Sequence, residues 1–264
     1  MLELNRIHCG DNCDLLGQMP RECVDLVVTS PPYDDLRTYG GHSWDFFGVA
    51  WHLKRVLKPG GVIVWVVNDA TVDGSETGSS FEQALHFKRL GLKLWDTMLW
   101  DKPWCNYGDT ASRYAGTFEY CFVLSAGKPK SVNILKDRPN IHAGTSMATR
   151  TDRRSQGDAS KKLPRADGYV THEYGPRKAI WEIAPGGERQ EAMSHPATFP
   201  FDLARDHIAS WSNPGDLVLD PFSGSGTTAK AAKTLGRQFI GLEVNPDYCA
   251  IAEQRIAQEV LALA

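Results

Sequence analysis

Residues 217–228 have the sequence Leu-Val-Leu-Asp-Pro-Phe-Ser-Gly-Ser-Gly-Thr-Thr, and an Ala- and Lys-rich stretch of helical composition follows them. This order predicts a buried strand, a glycine turn and a helix. The glycines let a bound molecule approach the backbone closely, and the helix N-terminus supplies N–H donors. The GxxxxGK[ST] pattern of a phosphate-binding loop is absent, and so is a clean GxGxxG, which disfavours a dinucleotide. The stretch therefore predicts an α/β fold with a cofactor at this turn.

A second apolar strand is predicted at residues 239–243, Phe-Ile-Gly-Leu-Glu, and it ends in an acidic residue. In Rossmann-like folds, an acid at the tip of the second strand accepts hydrogen bonds from ribose hydroxyls. Glu243 is therefore predicted to bind a ribose. The glycine turn alone is weak evidence for a cofactor site, and its pairing with Glu243 strengthens that interpretation.

A third informative stretch covers residues 24–33, Val-Asp-Leu-Val-Val-Thr-Ser-Pro-Pro-Tyr. Its first six residues have the short β-branched composition of a buried strand. Pro31 and Pro32 make a stiff turn without backbone donors, so the carbonyl oxygens stay free as acceptors. With the Ser30 hydroxyl and the Tyr33 ring, the turn suits a planar amino group whose base is stacked on the ring. The alternative is a strand followed by a Pro-rich loop that has no chemical role.

Strands and helices alternate along the chain, which predicts an α/β fold with a doubly wound, mostly parallel sheet. The helix predicted from Ser43 to Leu57 carries Phe47, Trp51 and Leu57 on one face. Further strands are predicted at 7–8, 62–67, 93–100 and 120–125, and further helices at 81–90, 201–211 and 247–263. We interpret five tryptophans as core residues: Trp44, Trp51, Trp95, Trp100 and Trp181.

Periodicity fades between residues 127 and 189, where Gly, Ser, Arg and Lys dominate. A long irregular stretch inside a compact enzyme is usually functional or mobile. Its positive charges outnumber its negative charges, so we interpret 128–189 as a basic insertion that meets phosphates and recognises the target. It divides one domain into a catalytic half, 1–127, and a cofactor-binding half, 190–264. The alternative is a solvated loop with a chance charge bias. The basic residues are Lys130, Lys136, Arg138, Arg150, Arg153, Arg154, Lys161, Lys162, Arg165 and Arg177.

Composition constrains the class of protein without selecting one. The net charge is −3, and 42% of the residues are hydrophobic, which is enough for a sizeable core. No apolar stretch approaches the length of a membrane span, and the charged N-terminus does not resemble a signal peptide. The six cysteines include no CxxC pair, so neither a metal site nor a disulfide framework is expected. A reducing, cytoplasmic location is predicted.

The motifs together resemble the amino-group DNA methyltransferases, which transfer a methyl group from S-adenosylmethionine to N4 of cytosine or N6 of adenine. Residues 29–33 resemble the catalytic motif of that family, and residues 220–228 resemble its cofactor motif. Residues 195–200 are similar to the segment that packs on the methionine part of the cofactor, and 55–61 and 118–120 match two further blocks. The catalytic motif comes first, which is the permuted order of the β class.

The resemblance implies a Rossmann-like methyltransferase fold in circularly permuted order, S-adenosylmethionine as the cofactor and double-stranded DNA as the partner. The target base must be flipped out of the duplex. Ser30 and Pro31 are expected to accept the hydrogens of its amino group, and Tyr33 is expected to stack on it. Pro32 completes the catalytic turn.

For the cofactor, the resemblance assigns Glu243 to the ribose and Asp11 to the adenine amino group. Asp220 and the backbone of residues 222–224 are expected to face the methionine moiety. Asp11 has an equally good alternative as the N-cap of a helix that starts at Asn12. The expected cofactor residues are Asp11, His195, Pro196, Asp220, Phe222, Ser223, Gly224, Gly226, Thr227 and Glu243.

The identity of the target base is the feature that the sequence determines least. Adenine enzymes of the family mostly carry Asp or Asn where this chain has Ser30, and N4-cytosine enzymes mostly carry Ser, so cytosine is favoured and adenine is the alternative. More distant alternatives are methylation of RNA or of a protein glutamine amide, and a DNA-binding module without activity. A homodimer and a cognate restriction endonuclease are further candidate partners.

Overall fold

The computed structural model describes residues 1–32, 44–103, 112–146, 149–152, 161–164, 169–185 and 200–257. The chain divides into two compact units. The larger unit comprises Met1–Asn133 and Ala179–Ala264, and the smaller unit comprises Ile134–Lys178. The smaller unit lies inside the stretch predicted as the insertion.

The described part of the chain contains fourteen strands, and those outside the main sheet are short. In chain order they are β1 (Arg6–Cys9), β2 (Val24–Thr29), β3 (Leu57–Val67), β4 (Thr71–Val72), β5 (Ser75–Glu76), β6 (Lys93–Asp101), β7 (Phe118–Ser125), β8 (Arg138–Pro139), β9 (Thr149–Asp152), β10 (Lys161–Pro164), β11 (Tyr174–Gly175), β12 (Ile180–Glu182), β13 (Leu217–Asp220) and β14 (Gln238–Glu243).

Six helices accompany these strands in the described residues. They are α1 (Asn12–Gly17), α2 (Phe46–Val56), α3 (Ser79–Arg89), α4 (Phe201–Trp211), α5 (Thr227–Thr234) and α6 (Pro246–Ala257).

The larger unit is built on an eight-stranded sheet with the order β1-β14-β13-β2-β3-β7-β6-β12. All neighbouring strands are parallel except at β7, which runs antiparallel to both β3 and β6. The prediction of a mostly parallel α/β sheet is therefore confirmed. Because β2 and β13 are parallel neighbours, the catalytic and cofactor motifs, which lie about 190 residues apart, emerge at the same edge.

Both faces of the central strands of the sheet are buried. Val27, Ile63 and Leu219 pack with α1, α2 and α3 in one hydrophobic cluster. Their strand neighbours Leu26 and Val218 point to the opposite face, where α4, α5 and α6 pack against the strands. Burial on both faces explains why the predicted strands are continuous apolar runs rather than alternating ones.

Helix α2 corrects a prediction about its apolar face. The helix buries Val49, Ala50, Leu53 and Val56 against the sheet. Phe47 is 64% exposed and Trp51 is 50% exposed, and Leu57 is the first residue of β3 rather than part of the helix. Nearly every position of α2 between 46 and 53 is apolar, so periodicity alone could not identify the buried stripe.

Three of the five tryptophans that were interpreted as core residues pack in the core. Trp100 and Trp181 are buried, and Trp44 is partly buried against the main hydrophobic cluster. Trp51 and Trp95 are half-exposed, because they lie on the solvent side of α2 and β6.

The smaller unit consists of short antiparallel pairs. Strand β8 pairs with β11, and β9 pairs with β10. The Arg177 guanidinium bonds to the Asp137 carboxylate, which lowers the pKa of Asp137 below its ordinary value. A turn at residues 140–145 is held by backbone hydrogen bonds to residues 171 and 173.

Candidate functional site

The candidate site lies where β2 and β13 end beside each other. The last backbone pair between the two strands is Leu219 with Val27. Ser30 and Pro32 follow β2 and are half-buried, and Pro31 is buried between them. Tyr33 lies outside the described residues, as do His195 and Pro196.

Thr29 and Asp220 connect the two motifs directly. The Thr29 hydroxyl donates to Oδ1 of Asp220 at 2.6 Å, and the backbone N–H of Phe222 donates to the same oxygen at 3.0 Å. Burial raises the pKa of Asp220 to about 6, although hydrogen bonds from Thr29 and Phe222 favour the ionised form. The nearby charge of Glu243 also raises the Asp220 pKa.

The glycine turn after β13 is held by its own backbone. The Ser223 N–H donates to the Leu242 carbonyl at 2.8 Å, and the Gly226 N–H donates to the Ser223 carbonyl at 2.8 Å. Gly224 and Gly226 have φ values of 49° and 81°, which residues other than glycine rarely adopt. Because these donors are engaged, the helix donors available to a ligand are those of the first turn of α5, which begins at Thr227 without a side-chain cap.

Glu243 ends β14 beside this turn, and both of its carboxylate oxygens are oriented by backbone donors. The Gly224 N–H donates to Oε2 at 2.9 Å, and the Asn245 N–H donates to Oε1 at 2.8 Å. Each oxygen keeps a lone pair for another donor. The carboxylate is therefore fixed in position and still able to accept hydroxyl groups.

Asp11 lies at the same edge, next to β14. The Gly10 N–H donates to the Glu243 carbonyl at 2.9 Å, which holds the end of β1 against the acid-bearing strand. Asp11 is the N-cap of α1, and its Oδ1 accepts the Asp14 N–H at 3.0 Å. The capping alternative is confirmed, and the Asp11 side chain remains exposed. Asn12 reaches the Pro221 carbonyl at 3.5 Å.

The Phe222 ring points into an aromatic group rather than into solvent. It makes an edge contact with Trp44, with ring centroids 4.8 Å apart, and a more distant one with Trp65 at 6.3 Å. Trp65 is fully buried in the centre of the core. The Phe222 side chain therefore anchors the turn, and its N–H is bonded to Asp220.

Two further residues hold the turn and were not anticipated from the sequence. Arg255 of α6 is buried, and its Nη1 donates at 2.7 Å to both the carbonyl and the hydroxyl oxygen of Ser225. Gly241 of β14 leaves room for the turn, because a Cβ there would lie 2.5 Å from the Ser223 Oγ. In the sequence, the role of Arg255 is indicated only by its position, because it is a charged residue on the side of the predicted helix that faces the core.

A buried ion pair lies at the ends of β6 and β7, which meet at this edge of the sheet. Lys102 donates to Glu119 at 2.8 Å, and both side chains are largely buried. The pair satisfies two charges that would be costly to bury alone. Among the described residues, no group of three or more His, Cys, Asp or Glu side chains could hold a metal ion.

Comparison with known proteins defines the class. A family model described as DNA methylase matches residues 24–254. The orphan methyltransferase M.BamHII of Bacillus amyloliquefaciens is 48% identical over 243 residues, covering 90% of each chain. The chain therefore belongs to the N4/N6 DNA methylase family, and it is an S-adenosylmethionine-dependent DNA amino-methyltransferase.

Solved structures agree with the fold. The Thermus thermophilus protein TTHA0409, solved in complex with S-adenosyl-L-methionine, is 29% identical, with a TM-score of 0.64 and coverage of 97% of this chain and 96% of that one. The PvuII DNA methyltransferase has a TM-score of 0.69 at 21% identity, covering 97% and 87%, and this likeness concerns the fold alone. Within the described residues, no helix has the length and apolar character needed to cross a membrane.

The described residues fit S-adenosylmethionine. Its ribose hydroxyls are donors that match the oriented Glu243 carboxylate. The Gly224 and Gly226 positions carry no side chain, so a ligand can approach the backbone of the turn closely. When bound, the cofactor supplies an electrophilic methyl group on a sulfonium.

Proposed function

We propose that this enzyme methylates N4 of cytosine in duplex DNA at a base that is flipped out of the helix. The main support for transfer to an amino group is the 2.6 Å hydrogen bond between the Thr29 hydroxyl and the Asp220 carboxylate. It joins the Ser30-Pro31 turn to the cofactor turn, so the amino-group acceptors and the methyl donor's binding loop share one edge of the sheet.

The residues of the catalytic turn explain how a poor nucleophile is activated. The lone pair of an exocyclic amine is delocalised into the ring of the base. The Ser30 hydroxyl and the Pro31 carbonyl accept its two hydrogens, which favours a pyramidal nitrogen with a free lone pair. Pro31 and Pro32 provide a stiff turn that holds these acceptors in place, and positioning supplies much of the rate. Tyr33 stacks on the flipped base.

For the cofactor, we propose that Glu243 accepts the ribose hydroxyls and that Asp11 reaches the adenine amino group with the carboxylate oxygen not used in the cap. Asp220 and the turn at 222–226 enclose the methionine part. Their backbone bonds and the first turn of α5 at Thr227 support this placement. His195 and Pro196 are proposed to pack on the methionine part.

Ser30 supports cytosine over adenine, because the chain has a hydroxyl where adenine enzymes of the family mostly have a carboxylate or carboxamide. N6 of adenine is the alternative, and it would use the same turn and the same cofactor residues.

We propose that the smaller unit is the core of the target-recognition insertion. It carries ten Lys and Arg against five Asp and Glu, a net charge of +5, whereas the rest of the chain has nineteen against twenty-seven, a net charge of −8. Segregation of positive charge into one unit supports phosphate contacts there, despite the acidic total. A protein-amide substrate would have no need of this charge.

The test is mass spectrometry of nucleosides from duplex DNA incubated with the protein and methyl-labelled S-adenosylmethionine. Label in N4-methylcytosine supports the proposal, and label in N6-methyladenine overturns the base while keeping the mechanism. Label in RNA or protein alone would refute DNA as the substrate. Ser30→Ala should abolish transfer, and the exposed Ser75→Ala is the matched control.

We propose that a homodimer buries the outer face of α2 and α3. Phe47 and Trp51 on α2, and Phe81 and Leu85 on α3, are each at least 47% exposed. The Phe47 ring contacts His86 of α3 at 4.9 Å, so the two helices present adjoining apolar surface. Sedimentation should show a wild-type dimer and a monomeric Phe47→Ser/Trp51→Ser variant, and a wild-type monomer would refute the dimer.

We propose a role in restriction–modification, which is supported by relatives named type II methyltransferases, such as M.BglII of Bacillus subtilis at 30% identity, although M.BamHII is named an orphan methyltransferase. If an extract of the source cells cleaved unmethylated plasmid but not plasmid methylated by this enzyme, a cognate endonuclease would be supported. No cleavage of either plasmid would contradict it.

A further inference from the structure

Thr29 is the last residue of β2 and directly precedes Ser30. Its side chain is buried, and its hydroxyl donates to Asp220 Oδ1 at 2.6 Å. That oxygen also accepts the N–H of Phe222 at 3.0 Å. A single carboxylate oxygen therefore joins the strand that carries the base-binding turn to the first residues of the cofactor turn.

Side chains extend the contact between β2 and β13 to the ends of the two strands. The backbone pairs are Leu26 with Val218 and Val27 with Leu219. Past these pairs, the Thr29 bond to Asp220 is joined by a 3.3 Å bond from the Thr228 hydroxyl to the Val28 carbonyl.

The Thr29 bond has the length of a strong interaction. Hydrogen bonds from a hydroxyl to a carboxylate of about 2.5–2.7 Å are roughly twice as strong as neutral ones. Removing the hydroxyl would leave a buried carboxylate without one of its donors, which is costly.

We propose that Thr29 is a positioning residue for methyl transfer, which acts through Asp220 to set the Ser30-Pro31 turn relative to the cofactor turn. This inference rests on the proposed function, because it concerns the alignment of the amino nitrogen with the methyl donor. Misplacement of reacting groups by about 1 Å costs on the order of 10²-fold in rate.

The test compares Thr29→Val, which keeps the shape and removes the hydroxyl, with Thr29→Ser, which keeps the hydroxyl. In the Val variant, kcat should fall about 10- to 100-fold. The calorimetric Kd for S-adenosylmethionine should change by a smaller factor than kcat, because Glu243 and its donor Asn245 lie outside the link. The Ser variant should keep kcat within about threefold of wild type.

A second readout separates positioning from general packing. Without the Thr29 donor the ionised form of Asp220 is less favoured, so the pH below which kcat/KM declines should move upward in Thr29→Val only. The charged group acting on Asp220 from β14 is Glu243, which is the same in all variants.

The proposal would be overturned if Thr29→Val had the same kcat and the same pH profile as wild type. It would also be overturned if Thr29→Val and Thr29→Ser lost kcat equally. Asp220→Asn tests the link from the acceptor side, including the case in which Thr29→Val does not fold. It should reduce kcat, and the double variant should be no slower than Asp220→Asn alone. Unchanged kcat, or additive losses, would overturn the link.

Failure of the proposed function can be distinguished from failure of the Thr29 proposal. If the wild type transferred no methyl group to DNA, the proposed function would be refuted. The hydrogen bond between Thr29 and Asp220 would then be tested by the pH dependence of unfolding. Thr29→Val should then shift the pH range over which stability changes upward, relative to wild type and Thr29→Ser. No shift would overturn the link.

Discussion

The Glu243 carboxylate is held in place by the backbone around it. Its two oxygens each accept one backbone N–H, from Gly224 and Asn245, so the side chain is already ordered for its proposed role in binding the ribose. Preorganisation of this kind lowers the entropic cost of binding. The same bonds tie Glu243 to the turn, so any change in its chemistry also affects the turn.

We expect Glu243→Gln to weaken S-adenosylmethionine binding by about 10- to 100-fold, because hydrogen bonds to charged groups contribute about 1.5–3 kcal/mol. An amide has one acceptor oxygen, so it cannot accept from both Gly224 and Asn245 and its NH₂ group would face a donor. Titration calorimetry gives the Kd. Glu82→Gln, at an exposed position in the first turn of α3, is the control and should bind as wild type does. Unchanged affinity in Glu243→Gln would remove the ribose role.

Asp220 predicts a pH dependence of stability. Burial raises its pKa in the folded state to about 6 from the ordinary 3.8, so the ionised form is penalised by folding. Its stabilising contribution is therefore largest below pH 3.8 and is lost as the pH rises from 3.8 to about 6. Asp220→Asn removes this dependence. Relative to wild type, the variant should gain about 1–2 kcal/mol of unfolding free energy between pH 5 and pH 8.

Denaturant unfolding of both proteins at the two pH values measures the difference. Asp216→Asn, on the loop before β13, is a control at a carboxyl group outside the site. A wild-type-minus-variant difference that is constant with pH would contradict the raised pKa.

At the scale of elements, helix α2 illustrates how packing selects among apolar residues. Its sequence offers apolar side chains in several directions, and the sheet accepts only the stripe that contains Val49, Leu53 and Val56. Arg55 on its flank donates to the Leu16 and Met19 carbonyls at 2.6 and 2.7 Å, which ties α2 to the end of α1. This bond and the buried stripe together determine the rotation of the helix, which leaves Phe47 and Trp51 outside.

The rotation of α2 can be tested by a pair of substitutions. Leu53→Ala removes a fully buried side chain and should lower the unfolding free energy by about 2–5 kcal/mol. Phe47→Ser, at a 64% exposed position, should change it by about 0.5 kcal/mol or less in the monomer. Urea unfolding at low protein concentration gives both values. Comparable losses in the two variants would mean that Phe47 is also buried.

At the scale of the whole molecule, charge is divided between the two units. The smaller unit carries +5 and the remainder −8, so the net charge of −3 conceals a basic region. An enzyme that acts on DNA needs a local positive field rather than a positive total. The negative charge of the larger unit disfavours phosphate contacts there, which is consistent with the proposed role of the smaller unit.

Lys136 and Lys178 are exposed in the smaller unit, and we expect Lys136→Gln/Lys178→Gln to weaken DNA binding at all sequences. The slope of log K against log salt is negative, and each lost phosphate contact should reduce its magnitude by about 0.9. Fluorescence anisotropy with a labelled duplex at several salt concentrations measures this slope. The matched control is Lys88→Gln/Lys93→Gln, at exposed positions in the larger unit. Equal effects of the two pairs would refute a special role for the smaller unit.

The sequence by itself determined most strands and helices of the larger unit and the family to which the chain belongs. Strands β2, β13 and β14 were predictable because their residues are mostly apolar and the strands end at Thr29, Asp220 and Glu243. Helix α4 was predicted with the bounds that the structure has. These features depend on neighbours in the chain, so local patterns reveal them.

Only the tertiary structure decided which residues meet. Three contacts in the site join residues from different parts of the chain. They are the hydrogen bond between Thr29 and Asp220, the hydrogen bonds from Arg255 to Ser225, and the close approach of Ser223 to Gly241. The exposed face of α2 was likewise set by the sheet against which it packs. Such contacts arise from sheet order and helix rotation, which are long-range properties of the folded chain. A local pattern therefore does not contain them.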